Sequence, residues 1–228
     1  SCGCVINDIS DYKLDKLVSR TAGRPLAVGN ISTIEAWVFF IVLALISFVL
    51  LWFTNTLTIK LSFFFGFLIV LYPITKRFIG APQFILGITF GSGSLIGYSL
   101  ETSVFSLSIL TLYIGIVAWI VSFDTYYALQ DKDDDLEIGV NSTAILWAEN
   151  AIIYSKILHL AFYASLIIVA TINSFSYFFL FIFLSLFYLF LHQNKLLKNS
   201  DYLGAFKINN WIGMISVFGF ALEIIFLN

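Results

Sequence analysis

Eight of the nine aspartates in this 228-residue chain fall in two short polar segments. The first runs Asn7-Asp8-Ile9-Ser10-Asp11-Tyr12-Lys13-Leu14-Asp15, and the second runs from Asp124 to Asp135 with Asp131, Asp133 and Asp134 between them. At about 100° per residue on a helix, Asp8, Asp11 and Asp15 lie within an arc of about 60°. By the same count Asp124, Asp131, Asp134 and Asp135 share a face about 100° wide, with Tyr127 beside them and Asp133 pointing away. Carboxylates at this spacing repel one another, and cations between them relieve the repulsion. Mg²⁺ suits such a place, since it takes oxygen ligands and is commonly held by one or two carboxylates together with substrate phosphates. Two facing aspartate groups with Mg²⁺ between them would clamp a diphosphate and neutralise it as it departs. Taken alone, the run Asp131-Lys132-Asp133-Asp134-Asp135 also fits a solvated acidic loop; it lacks the Gly and Glu spacing of an EF-hand.

The elements that must hold these groups are membrane helices. The chain is 60% hydrophobic, 18% aromatic and 11% charged, with mean hydropathy +0.95, whereas a soluble domain is about a quarter charged. A net charge of −2 gives no basic surface for nucleic acid, and none is expected as a partner; membrane lipid is. Runs of about 20 residues that can cross a hydrocarbon core are read at 34–53, 57–74, 82–100, 104–123, 151–171, 175–191 and 208–227. The expected fold is an all-α, polytopic transmembrane helical bundle with seven spans, forming one domain over 1–228.

Cytoplasmic loops are enriched in Lys and Arg. With the Asp8 segment on that side, Lys13, Lys16, Arg20, Arg24, Lys76, Arg77, Lys132, Lys195, Lys198 and Lys207 all fall in loops on the same face, and the opposite loops hold none. Lys60 and Lys156 sit inside spans near helix ends, where a long side chain can reach the interface. Both aspartate clusters therefore face one side, and an odd span count puts the C-terminus on the other. Residues 1–6 read as the end of a preceding helix, with Cys2 and Cys4 as small helix residues, since two cysteines at this spacing fit no zinc or disulfide framework.

The string Asn7-Asp8-x-x-Asp11-x-x-x-Asp15, followed by Arg20-Thr21-Ala22-Gly23-Arg24-Pro25-Leu26, resembles the first motif of the UbiA superfamily of intramembrane prenyltransferases. Asp124-Thr125-x-Tyr127-Ala128-x-x-Asp131-x-x-Asp134-Asp135, followed by Gly139 to Ala144, resembles its second motif and looks most like the 4-hydroxybenzoate polyprenyltransferase branch. Tyr72-Pro73-Ile74-Thr75-Lys76-Arg77 resembles a Tyr-x-x-x-Lys element of the family, and Phe206 to Asn210 the start of its C-terminal helix. The family has nine spans, so the resemblance implies an N-terminally truncated chain lacking the first two.

What the resemblance implies is Mg²⁺-dependent transfer of a polyprenyl group from polyprenyl diphosphate to the ring of 4-hydroxybenzoate, in ubiquinone biosynthesis at a bacterial or mitochondrial inner membrane. Asp8, Asp11, Asp15, Asp131 and Asp135 would hold Mg²⁺ against the diphosphate, with Asp134 and Asp124 in support and Asn7 adding an amide. Lys76, Arg77 and Arg24 would meet the diphosphate or the substrate carboxylate, since either anion suits them. Tyr72, Tyr126 and Tyr127 stand where ring faces could stabilise an allylic cation, or where tyrosines simply anchor a helix at the interface. The Phe-rich stretch 175–190 reads as lipid-facing more readily than as a prenyl tunnel, and His159, near Lys156, as a packed histidine. Glu35 and Glu223 can reach water at span ends, while Gly87, Gly91 and Gly93 suggest close helix packing. Alternatives are the same chemistry on homogentisate or a naphthoate, and a Mg²⁺ or ion transporter, which predicts carboxylates near mid-membrane on broken helices.

Overall fold

Eleven α-helices and no strand make up the described residues, 2–18 and 20–227, of this computed structural model, with 226 and 227 described by backbone alone. Ser1, the first residue of the expected helix remnant, lies outside them. In chain order the helices are α1 (Cys2–Asp15), α2 (Pro25–Val28), α3 (Thr33–Leu51), α4 (Thr56–Thr75), α5 (Pro82–Ser99), α6 (Leu107–Gln130), α7 (Lys132–Ile138), α8 (Thr143–Leu146), α9 (Ala151–Ile172), α10 (Phe178–Lys198) and α11 (Tyr202–Leu222).

Local chemistry sets most of the starts. Ser32 and Glu35 form a reciprocal capping box on α3, so Glu35 serves a helix end. Asn55, Ser106 and Asp201 cap α4, α6 and α11 through side-chain oxygens that accept backbone N–H groups. Pro25 and Pro82 open α2 and α5, where a missing N–H costs nothing.

Six helices are long and apolar enough to cross a membrane, against seven expected. The seventh, α5, fails on composition because Gly, Ser and Thr take up its inner faces, and nine of its 18 residues are buried. It still runs antiparallel beside α4: Thr58 Oγ1, near the start of α4, lies 2.8 Å from Ser99 Oγ at the end of α5, and Asn55 Nδ2 donates to the Ser99 carbonyl. A helix shielded by neighbours does not need the apolar surface that lipid demands of an outer one. The outer extreme is α3, apolar and almost wholly exposed, which packs against α1.

At the centre stands α6, packed against α5, α9 and α11. Gly87 lets α5 approach, since a Cβ there would lie 3.0 Å from the Val117 carbonyl, and Gly91 faces Tyr113 and Val117 in the same way. Gly93 faces open space and has no such role; Gly115, against Ser165 of α9, takes it instead. Trp119 stacks on Phe162 with centroids 4.8 Å apart, joining a core of Tyr163, Leu166, Leu186, Phe190 and Ile212. His159 is fully buried beside Phe162, Tyr163 and Phe190, as a packed histidine.

Helix boundaries differ from the sequence reading in one systematic way. At the end that carries the aspartates, α6, α10 and α11 run past the apolar stretch, so Asp124 belongs to α6, and Lys195, Lys198 and Lys207 lie on helices and not in loops. Polar side chains that find partners or water do not stop a helix whose neighbours already hold it. A real break falls at Asp131, with φ −100° and ψ 6°, which ends α6 and precedes α7.

Candidate functional site

On α1 the three aspartates do share one face, and Asp11 and Asp15 are buried. Arg24, held extended by the following Pro25, sends Nη1 to Asp8 Oδ1 at 3.0 Å and to Asp15 Oδ2 at 3.1 Å. The loop that carries Arg24 is tied down by Thr21, whose Oγ1 donates to the Asp15 carbonyl at 3.0 Å. Lys76, capping the end of α4, donates Nζ to Asn7 Oδ1 and to Asp11 Oδ2, both at 3.1 Å, and lies 5.3 Å from the Tyr72 ring centre. Arg77 donates to the Ser10 carbonyl at 3.2 Å and is otherwise exposed.

Across the opening, Asp131 is met by Arg20, whose Nε donates to Oδ1 at 2.9 Å while Nη2 reaches Oδ2. The same guanidinium lies 4.3 Å from the Tyr127 ring centre, and that ring leans on Phe206 at 4.8 Å. Arg20 thus bridges the loop after α1 to the end of α6. No role was assigned to it from sequence, because a loop arginine carries no periodic signal.

Between the two clusters lies a cavity of about 840 Å³, counting its open mouth. Asn7, Asp11, Asp15, Arg24, Tyr72, Lys76, Arg77, Asp124, Tyr127, Asp131 and Asp135 all border it. Asp8 borders an adjoining, mainly apolar cavity of about 530 Å³, with Gly3, Cys4, Ile69, Leu86 and Phe90, and shares Asn7, Arg24 and Tyr72 with the first. Asp134 borders neither; Tyr126 is buried with Leu197 and Ala205; Asp133 is exposed. No phenylalanine of 175–190 lines either cavity.

The helical count across 124–135 therefore needs a correction. Asp134, in the first turn of α7, does not border the cavity with Asp131 and Asp135. Burial pushes the Asp135 carboxyl up to about 6, with Asp131 adding to the shift and Lys76 and Arg20 opposing it. Among the described residues, no three acidic, His or Cys side chains converge on one point. Three cations of the protein, Arg20, Arg24 and Lys76, neutralise the carboxylates instead.

The far wall is built by hydrogen bonds that sequence reasoning also passed over. Gly139, at φ 72°, ends α7 in the left-handed conformation that glycine adopts freely. Asn141 N then donates to the Lys76 carbonyl at 3.0 Å, and Thr143 N to Gln83 Oε1 at 2.9 Å. Thr143 Oγ1 lies 2.7 Å from Thr125 Oγ1 of α6. The available signal for Gln83 was a lone amide opening an apolar helix.

The sequence model of the UbiA prenyltransferase family matches residues 1–217. The chain belongs to the UbiA prenyltransferase family. Among curated UbiA relatives, 4-hydroxybenzoate octaprenyltransferase of Saccharophagus degradans is 37% identical over all of this chain and 77% of its own length. The protein of that name from Pasteurella multocida is 39% identical over 99% of this chain and 79% of its own. A UbiA homologue from Aeropyrum pernix K1, solved in its apo form, superposes with a TM-score of 0.85 at 26% identity, covering 98% of this chain and 85% of that one. A digeranylgeranylglyceryl phosphate synthase structure shares the fold at a TM-score of 0.71 and 22% identity, covering 97% and 80%.

Proposed function

We propose that this protein transfers a polyprenyl group from its diphosphate to the ring carbon beside the hydroxyl of 4-hydroxybenzoate, the committed prenylation of ubiquinone biosynthesis. The observation that carries the reading is the meeting of two acidic clusters with Lys76, Arg77 and Arg24 across one cavity. The names of the relatives support the acceptor. The positive-inside pattern favours a site facing the cytoplasm, or the matrix, of an inner membrane.

Mg²⁺ fits the donors, which are carboxylate and amide oxygens; it needs only one or two carboxylates when substrate phosphates complete its shell, so three converging protein ligands are not required. Asp11, Asp15, Asp131 and Asp135 border the cavity and would hold it, with Asn7 beside them and Asp8 in the adjoining cavity. When bound, it supplies charge neutralisation for the leaving diphosphate.

The chain's own residues do the rest. Arg24, Lys76 and Arg20, which now meet carboxylates, would turn to the phosphate oxygens when the diphosphate binds. The allylic C–O bond breaks, leaving a cation in reach of the Tyr72 and Tyr127 rings. The ring carbon then bonds to that cation, and the ring hydrogen passes as a proton to the released diphosphate or to water. The adjoining apolar cavity beside Gly3, Ile69 and Phe90 suits the prenyl tail.

The test is an assay in membranes from cells expressing the protein, given 4-hydroxybenzoate and a polyprenyl diphosphate with Mg²⁺ or with EDTA. Prenylated hydroxybenzoate that forms only with Mg²⁺ is the expected result. Turnover with homogentisate or a naphthoate alone would keep the diphosphate site and overturn the acceptor.

A further inference from the structure

Asp124 differs from its neighbours in the cavity wall. Asp11, Asp15 and Asp131 each sit in an ion pair with Lys76, Arg24 or Arg20, whereas Asp124, like Asp135 on α7, is in no salt bridge among the described residues. It lies seven residues before Asp131 on α6, which on a helix is about 10 Å further into the membrane. Lys76 and Arg20 act on it by charge from a distance, and the Gln83 amide lies beside its carboxylate.

The Gln83 amide has one permitted orientation. It is 5% exposed, and its Oε1 accepts the Thr143 backbone N–H at 2.9 Å. An amide has an oxygen that accepts and a nitrogen that donates, so once the oxygen is committed to Thr143, the NH₂ must point the other way, to Asp124 and the cavity. Thr143 cannot drift, because its hydroxyl is held to Thr125 at 2.7 Å and Thr125 donates to the Val121 carbonyl of α6 at 2.6 Å. The start of α5, the middle of α6 and the start of α8 are thereby locked around one carboxylate.

Such a carboxylate, beside an amide NH₂ and in no salt bridge, has lone pairs for a neutral donor from the cavity. Resting on the proposed function, we infer that Asp124 accepts the hydrogen bond of the acceptor's phenolic hydroxyl, and that Gln83 is the positioning residue that aims it. The two would form a recognition site for the aromatic acceptor, inward of the carboxylates that serve the diphosphate. Sites built to bond a hydroxyl reject analogues that lack it, because the buried polar group is left unpaired.

The experiment measures equilibrium binding of 4-hydroxybenzoate and of benzoate to the purified protein in lipid nanodiscs, beside turnover and the Mg²⁺ concentration giving half-maximal rate. Wild type should bind 4-hydroxybenzoate at least tenfold more tightly than benzoate. Asp124→Asn and Gln83→Glu should bring that ratio to within about threefold while leaving the Mg²⁺ midpoint within twofold. Gln83→Glu keeps an oxygen for Thr143 and so keeps the wall, but it removes the donor. Gln83→His, which can retain one ring donor, should recover part of the preference, which a merely structural role would not predict. An unchanged ratio in Asp124→Asn overturns the inference, and so does a Mg²⁺ midpoint that rises tenfold with the ratio intact. A wild type that turns over no hydroxybenzoate would instead sink the proposed acceptor and this site with it, a failure visible before any variant is made.

Discussion

The two acidic clusters use the same residue type and are built in opposite ways. Asp8, Asp11 and Asp15 stand on one unbroken helix, and their counter-charges arrive from outside it, Arg24 from a loop and Lys76 from the end of α4. Asp124, Asp131 and Asp135 come from three settings: the body of α6, the break itself and the short helix beyond it. The first cluster is a rigid rail. The second turns at Asp131, where one residue joins two helices and an arginine from the opposite side meets it. The cavity thus has one wall on a continuous helix and one on a joint.

Removing the joint should do the most damage. Asp131→Asn leaves Arg20 without its charged partner, and turnover in membranes should fall about 100-fold or more, about 2.7 kcal/mol of transition-state stabilisation; a loss under tenfold would mean the joint is dispensable. On the rigid wall, Arg24→Ala strips Asp8 and Asp15 of their shared counter-charge but leaves the helix intact. The Michaelis constant for the polyprenyl diphosphate should rise roughly tenfold with the constant for 4-hydroxybenzoate nearly unchanged, and the reverse pattern would assign Arg24 to the acceptor.

A subtler contrast is in pH. Because the Asp135 carboxyl is raised to about 6, the folded protein binds more protons than the unfolded chain between about pH 4 and 6. Without metal, the contribution of this group to stability therefore falls as pH rises through that window. Mg²⁺ needs the carboxylate and competes with the proton, so added Mg²⁺ should raise the melting temperature in detergent more at pH 7.5 than at pH 5. Equal shifts at both pH values would remove Asp135 from the metal site. The smallest effect belongs to Asp133→Asn: that side chain is exposed and off the cavity, and turnover should stay within twofold.

Periodicity read the first cluster well because nothing interrupts α1, so a count at 100° per residue places all three aspartates as the structure does. The same count put Asp134 with Asp131 and Asp135, but it does not border the cavity, and no pattern in Asp131-Lys132-Asp133-Asp134-Asp135 marks the helix break at Asp131. Span positions were legible from hydropathy, yet α5 fell below the apolar threshold, and α6 continued to Gln130, since burial among other helices is a tertiary fact. Residues whose work is to join distant segments were the least legible. Arg20 acts on Asp131 from 111 residues away, and Gln83 acts on Thr143 from 60 away; neither has a local neighbour that announces it.

At 24 residues, α6 is about 36 Å long, against a hydrocarbon layer of about 30 Å. The excess of about 6 Å would let the end at Asp131 stand beyond the hydrocarbon, with Asp124 about 10 Å deeper along the helix. In the proposed reaction one substrate is soluble in water and the other only in lipid. A post that crosses the boundary between those phases lets each arrive from its own side, so that the tail never has to enter water and the charged acid never has to enter oil.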